Sequence, residues 1–154
     1  MERQVRNSAK ALIIKDGKLL AVKLDDNGDM FYIMPGGGQH AGELLPEAVR
    51  REVAEELGID VCPQSLAFVI EGAQGEAFHR VDFVFVCEYI GEISGAILQG
   101  DTNQAGYVWL DIKTLNKQPL YPSKLRRAIM RLHQGERTGV YLGNEEIGDP
   151  ECLD

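Results

Sequence analysis

The chain predicts an α/β fold in which a mixed β-sheet lies between two helices. Strand-patterned runs stand on both sides of a glycine-rich turn, a helix-patterned stretch follows that turn directly, and a second amphipathic stretch lies near the C-terminal end. Strands that alternate with only two helical segments need a sheet covered on its faces rather than a bundle.

From the N-terminal side, Ala9 to Lys15 reads as a strand, Asp16-Gly17 as a tight hairpin turn and Lys18 to Leu24 as the returning strand. The polar run Asp25 to Asp29 breaks the pattern. Met30 to Met34 is a short strand that delivers Pro35 and the glycines Gly36, Gly37 and Gly38, where a backbone without side chains allows close approach of a ligand. A helix is expected from about Leu45-Pro46, with proline in the first turn, to a stop at Gly58. Ile59 to Ile70 and Val81 to Ile90 follow as strands, with Asp82 facing sideways or into a cleft. Gly91 to Gly106 is loop-like, Tyr107 to Leu110 is a short strand, and Pro122 to His133 is a helix closed by Gly135.

Within the first helix Glu52, Glu55 and Glu56 fall at i, i+3 and i+4, so their carboxylates share one surface. Like charges so placed repel, and a hard divalent cation with oxygen ligands is the natural compensation. At about 100° per residue, Leu45, Val49, Val53 and Leu57 form an apolar arc, with Glu56 inside it, Glu52 at its edge and Glu55 further towards solvent. A solvated helix face is the ordinary reading of a charge run. A carboxylate aimed at the packed side loses its hydration and needs a cation or donated hydrogen bonds instead. Arg51 is spaced to pair at i, i+4 with both Glu47 and Glu55.

The stretch from Gly37 to Ile59 resembles the Nudix box, G-x5-E-x7-R-E-U-x-E-E-x-G-U with U a bulky aliphatic residue. Every fixed place is filled, by Gly37, Glu43, Arg51, Glu52, Val53, Glu55, Glu56, Gly58 and Ile59. The resemblance implies an α/β/α sandwich and a hydrolase that cuts a phosphoric anhydride bond in a nucleoside diphosphate linked to another moiety. It implies Mg²⁺, or Mn²⁺, as cofactor, with Glu52 and Glu56 as principal ligands, Glu55 as a further one and the Gly36 carbonyl as a backbone ligand. Arg51 would orient the glutamates, Glu43 would brace the preceding loop, and Gly37 and Gly58 would be structural. Family members often add an acidic residue from the loop before the last sheet strand. Asp101 is the candidate base there, with Glu92 earlier in the region and Glu52 itself as the alternative. Gln104 stands where many relatives carry a glutamate, and an amide does not accept a proton as a carboxylate does. No subfamily is assigned.

Outside the box, His79 and Arg80 are candidates for contact with substrate phosphate, against the more common structural reading of a lone histidine. Tyr32, Phe78, Tyr107 and Trp109 are candidates for stacking on a base, against the more common role of strand aromatics in a core. His40 and His133 carry no signal.

The expected organisation is one domain over residues 1–154, with a core over about 8–142, Tyr141-Leu142 docking at its end, and a loose acidic tail over about 143–154. A formal net charge of −8 argues against a stable nucleic-acid complex, which needs Lys and Arg on phosphates, and a phosphorylated substrate would itself need metal screening. The partner expected is a small nucleoside diphosphate derivative, with monomer and homodimer both open. Cys62, Cys87 and Cys152 are widely spaced and odd in number, which suits reduced thiols in the cytoplasm. No apolar run reaches the length of a signal sequence or a membrane span. Nucleoside triphosphates, ADP-ribose and other nucleotide sugars all remain open as substrates, with a slight tilt to the small triphosphate type because strand pattern begins by about Ala9. A different class is a domain of this kind that binds a nucleotide or nucleotide sugar as a sensor without cutting it.

Overall fold

The computed structural model describes residues 3–95 and 104–146. Among them nine strands join in one curled, mixed sheet. They are β1 (Gln4–Lys15), β2 (Lys18–Asp26), β3 (Asp29–Ile33), β4 (Gly36–Gly38), β5 (Ile59–Gly72), β6 (Phe78–Glu92), β7 (Gln104–Asp111), β8 (Leu120–Tyr121) and β9 (Tyr141–Asn144). Helix α1 (Leu45–Leu57) lies between β4 and β5, and α2 (Lys124–His133) between β8 and β9. The strand order is β8-β3-β2-β1-β6-β5-β9, with β4 added to β1 and β7 to β2.

The long parallel pairing of β1 with β6 makes the centre of this sheet, running in register from Gln4 opposite Phe78 to Ile13 opposite Cys87. Side chains alternate along both strands and so feed two cores. One core gathers Ala9, Ala11, Ile13 and Phe85 under Ala48, Val49, Val53 and Leu57 of α1. The other gathers Leu12, Val84 and Phe68 under Leu125, Ala128 and Ile129 of α2. Two helices on opposite faces of the sheet give the expected sandwich. No helix among the described residues is long and apolar enough to cross a membrane.

Several elements extend or correct the sequence expectation. β1 begins at Gln4 rather than Ala9, because its first residues pair with β6 while their side chains stay exposed. The polar Asp25 to Asp29 run is a second hairpin, with Asp26 opposite Asp29 and positive φ at Asn27 and Gly28. The glycine run is itself a strand on the free edge of β1, with Gly38, Gly37 and Gly36 opposite Ser8, Ala9 and Lys10.

Residues 143–146, the described part of the expected tail, are docked. Asn144 stands opposite Glu71, and Glu145 is buried at the start of α2, where its carboxylate accepts from Ser123 N–H at 2.6 Å, Ser123 Oγ at 3.0 Å and Lys124 N–H at 3.0 Å. The first turn of a helix has unsatisfied N–H groups, and a carboxylate is the side chain that satisfies several at once. Asp82 is likewise buried, at 4% exposure, instead of facing a cleft.

Candidate functional site

The site grows from the contact between β4 and α1. Gly36 has φ 136° and stands so close to β1 that a Cβ there would meet the Ala9 carbonyl oxygen at 2.1 Å, so only glycine lets this edge strand form. At the next residue the crowding comes from the site itself. A Cβ on Gly37 would lie 2.5 Å from Glu52 Oε2, which means the Glu52 carboxylate occupies the space that glycine leaves open. Gly58, in the left-handed region at φ 66°, ends α1 and returns its N–H to the Ala54 carbonyl.

Arg51 is the hub. Its Nε donates to Glu43 Oε2 at 2.7 Å and its Nη2 to Glu43 Oε1 at 2.9 Å, a two-toothed grip that fixes the guanidinium plane. Nη1 donates to Glu52 at 2.9 Å and to Glu55 at 3.2 Å, and Nη2 also reaches the Gly38 carbonyl at 2.9 Å. The expected Arg51–Glu47 pair does not form. Glu47 instead accepts the N–H of Leu44 and steadies the first turn of α1.

Arg51 holds the Glu43 carboxyl down to about 2, aided by the His40 N–H that donates to Glu43 Oε1. In return the hydrogen bond to Glu43 raises the titration of Arg51 against the opposing effect of burial, so its charge is permanent.

The three helical carboxylates differ in setting. Glu52 keeps 21% of its side chain exposed and Glu55 39%, while Oε1 of Glu56 is sealed from solvent. That is the order expected from their places around the helix. Among the described residues, no three His, Cys, Asp or Glu side chains enclose a metal cage, because Glu52 and Glu55 turn onto Arg51. In donor chemistry the residues do fit a hard divalent ion: several carboxylate oxygens, one of them desolvated, beside a backbone strand cleared of side chains.

An open cleft of about 730 Å³ leads to Glu52. Its walls include Arg6 and Asn7 of β1, Gln39 and Gly42 of the loop before α1, and Phe78 at the start of β6. The volume is in the range of small-molecule sites. Nothing in the sequence reading singled out Arg6 or Asn7. They sit in the part of β1 that lacks apolar alternation and is defined only by its pairing with β6.

The remaining candidates are placed differently. His79 Nε2 lies 2.8 Å from Glu71, which also accepts from the Tyr141 hydroxyl, and Arg80 donates to Asp82 at 2.9 Å and to the Glu145 carbonyl. Both side chains therefore tie β6 to its neighbours, the structural reading of the pair. Trp109 packs edge-on against Tyr89 beside the core under α1, and Tyr32 packs against the core under α2, both half-buried. Tyr107 is partly exposed on β7. Glu92 ends β6, and Gln104 opens β7 opposite Leu24. Asp101 and Cys152 lie outside the described residues. Cys87 is buried in the core with its thiol pushed up to about 12 by burial, and Cys62 is an exposed free thiol.

A glycine strand, a carboxylate-bearing helix and an arginine that organises its acids, set on a curled sheet between two helices, define a Nudix-type hydrolase. Solved structures share the fold. A Nudix hydrolase from Nitrosomonas europaea superposes with a TM-score of 0.70 over 90% of this chain and 94% of its own at 22% identity. The MutT protein from Methanosarcina mazei Go1 gives 0.67 over 90% and 99% at 24% identity. The family model described as NUDIX domain matches residues 5–132, and the chain belongs to the Nudix family. An ADP-ribose pyrophosphatase of Methanocaldococcus jannaschii is 30% identical over 126 residues, 80% of this chain and 72% of that protein. The nucleoside triphosphatase NudI of Salmonella agona is 48% identical over 50 residues, 30% of this chain and 36% of its own length.

Proposed function

We propose that this Nudix hydrolase is a divalent-metal-dependent pyrophosphohydrolase that cuts the phosphoric anhydride of a nucleoside diphosphate linked to another moiety. The observation that carries the reading is the seat of Glu52 in the space above Gly37, beside the sealed Glu56 and under the grip of Arg51. A plain structural helix has no need to crowd acids against a bare strand at the head of a cleft. Glu52 and Glu56, with Glu55 and the Gly36 carbonyl, would hold Mg²⁺ or Mn²⁺. The bound ion supplies charge neutralisation on the diphosphate and a more acidic water.

The chain's own residues supply position and proton transfer. Glu43 fixes the plane of Arg51, and Arg51 fixes the rotamers of Glu52 and Glu55, so the acids are ordered before substrate arrives. A carboxylate must take the proton of the attacking water. Asp101 is our first assignment for that base and Glu52 the second. The substrate of first choice is ADP-ribose or a related nucleotide sugar, supported by the similarity that extends over most of the chain to an enzyme named for ADP-ribose. Nucleoside triphosphates are the second choice, supported by the shorter stretch of stronger identity. The reaction would take place in the cytoplasm, on a free small molecule.

Release of phosphate, pyrophosphate or nucleoside monophosphate is to be measured over a panel of ADP-ribose, nucleotide sugars and nucleoside triphosphates, with Mg²⁺, with Mn²⁺ and with chelator. Metal-dependent turnover on one class is expected. Tight binding of a panel member with no turnover under any metal condition would establish the sensor in place of the enzyme.

A further inference from the structure

We propose that Arg6 and Phe78 form the subsite that takes the nucleobase of the substrate, an inference that rests on the nucleotide reading above. The two residues stand 72 positions apart in the chain and meet because β1 and β6 run parallel, with Gln4 opposite Phe78 and Arg6 opposite Arg80. That register puts Arg6 and Phe78 diagonally across one sheet face. The Arg6 guanidinium carbon lies 4.9 Å from the centroid of the Phe78 ring, so a planar cation covers a planar ring. Both residues line the cleft that also holds Glu52.

Three observations make this pair a binding element rather than a surface ornament. Arg50, Arg51 and Arg80 are each tied to a carboxylate, whereas Arg6 makes no ion pair among the described residues and keeps its donors for something else. Phe78 is half-buried at the start of its strand, with the exposed Arg6 as its cover. The cleft's lining also joins acidic Glu43 and Glu52 with the guanidinium–phenyl layer. A ligand that suits it carries phosphates together with a flat, hydrogen-bonding heterocycle. Bases stack on aromatic rings and on guanidinium planes, and a guanidinium edge donates to their ring nitrogens and carbonyls.

Hydrogen bonds link the first residues of β1 to the loop that carries Glu43. Gln39 N–H donates to the Asn7 carbonyl at 3.0 Å, Asn7 Nδ2 donates to Gln39 Oε1 at 3.1 Å, and Gln39 Nε2 donates to the Glu43 carbonyl at 2.7 Å. Glu43 in turn holds Arg51 and through it Glu52. Asn7, the chain neighbour of Arg6, is thus braced to the same frame that holds the acids.

Calorimetric titration of the full chain with AMP and with ribose 5-phosphate, in the presence of Mg²⁺, separates the base from the rest of the ligand. AMP is expected to bind at least about tenfold more tightly than ribose 5-phosphate, the size of a stacking contribution. Arg6→Ala and Phe78→Leu should each bring that ratio towards one. Leucine keeps the apolar volume of Phe78 and removes only the π face, and Arg6 is exposed, so both variants should unfold at the wild-type temperature. Equal binding of the two ligands by the wild type, no binding of AMP, or a ratio that survives both substitutions would overturn the proposal. A ratio that collapses as expected in a protein that hydrolyses nothing in the substrate panel would leave the subsite standing and remove the hydrolase reading instead.

Discussion

Two clusters of carboxylates, one on α1 and one at the strap formed by β9 and Glu145, use the same chemistry to opposite ends. Glu43, in the loop before α1, and Glu52 and Glu55 on the helix share a single guanidinium, three negative charges against one positive. At the strap the acids have their own donors. Glu145 accepts three hydrogen bonds from the start of α2, and Glu71 accepts from Tyr141 and His79. Asp82, buried on β6, accepts from Arg80 at one oxygen with Lys10 close by, while its Oδ1 meets no donor among the described residues. Charge that is matched locally holds elements together. Charge in excess, fixed in place and opening on a cleft, is what the proposed metal-dependent reading calls for.

The sharpest way to break this comparison is to remove one charge from each cluster. Glu52→Gln or Glu56→Gln should lower turnover by at least about a hundredfold, with the far-ultraviolet spectrum and unfolding temperature held, because an amide is a poor ligand for a hard cation. Steady-state rates on the best panel substrate check it. Rates within a fewfold of wild type would mean that the excess charge on α1 has no catalytic use.

Gly37→Ala sharpens the same contrast without touching a charge. The new methyl would press on the end of the Glu52 side chain, a flexible group that moves aside at little cost to the fold. Displacement of the carboxylate by a fraction of an ångström to an ångström should cost roughly ten- to a hundredfold in turnover, with a small change in unfolding temperature. At Gly36 the obstacle is the backbone oxygen of Ala9, so the same substitution there should cost stability first. Adjacent glycines would then separate site from scaffold.

At the strap the balance should reverse. Glu145→Gln weakens three hydrogen bonds to a buried carboxylate and should destabilise the protein by about 1–3 kcal/mol in chemical denaturation, with turnover of the folded fraction preserved. A variant of normal stability and lost activity would place the strap in the catalytic machinery.

How much of this was legible beforehand depended on whether the determinants are local. Helix α1 was, from the period of Val49, Val53 and Leu57 to the Gly58 stop, and so were the Nudix residues and the different depths of Glu55 and Glu56. The Asp16-Gly17 turn joins two strands that alternate cleanly, whereas Asn27-Gly28 joins exposed polar strand ends and looked like a break. β4 has no side chains from which to read a pattern, and only its pairing with β1 reveals it. Glu145 belongs by composition to an acidic tail, but its burial is decided by the N–H groups of Ser123 and Lys124. Arg6 and Phe78 meet through a parallel pairing that joins distant strands. The acids of the site are local to one helix, while the cleft in front of them is not.

The smallest expected effect is a difference in sign between the two clusters. Glu43 belongs to the first, and Arg51 lowers its titration from an ordinary 4.5 to about 2. Its contribution to stability is therefore complete above about 4.5 and is lost as the pH falls from there through about 2, since protonation releases Arg51. Asp82 lies near the second cluster, and burial raises its titration despite the nearby Lys10 and Arg80. Its protonated form is the better accommodated one, so what it contributes is present in acid and is lost as the pH rises through its raised value. Unfolding temperatures of Glu43→Gln and Asp82→Asn, each compared with wild type across the acid range, should diverge in opposite directions. The Glu43→Gln gap should narrow on acidification. For Asp82→Asn the balance should shift in favour of the wild type, since a protonated acid and an amide are nearly alike in a buried site. Parallel profiles would mean that the guanidinium beside Glu43 and the burial around Asp82 act alike on the two acids.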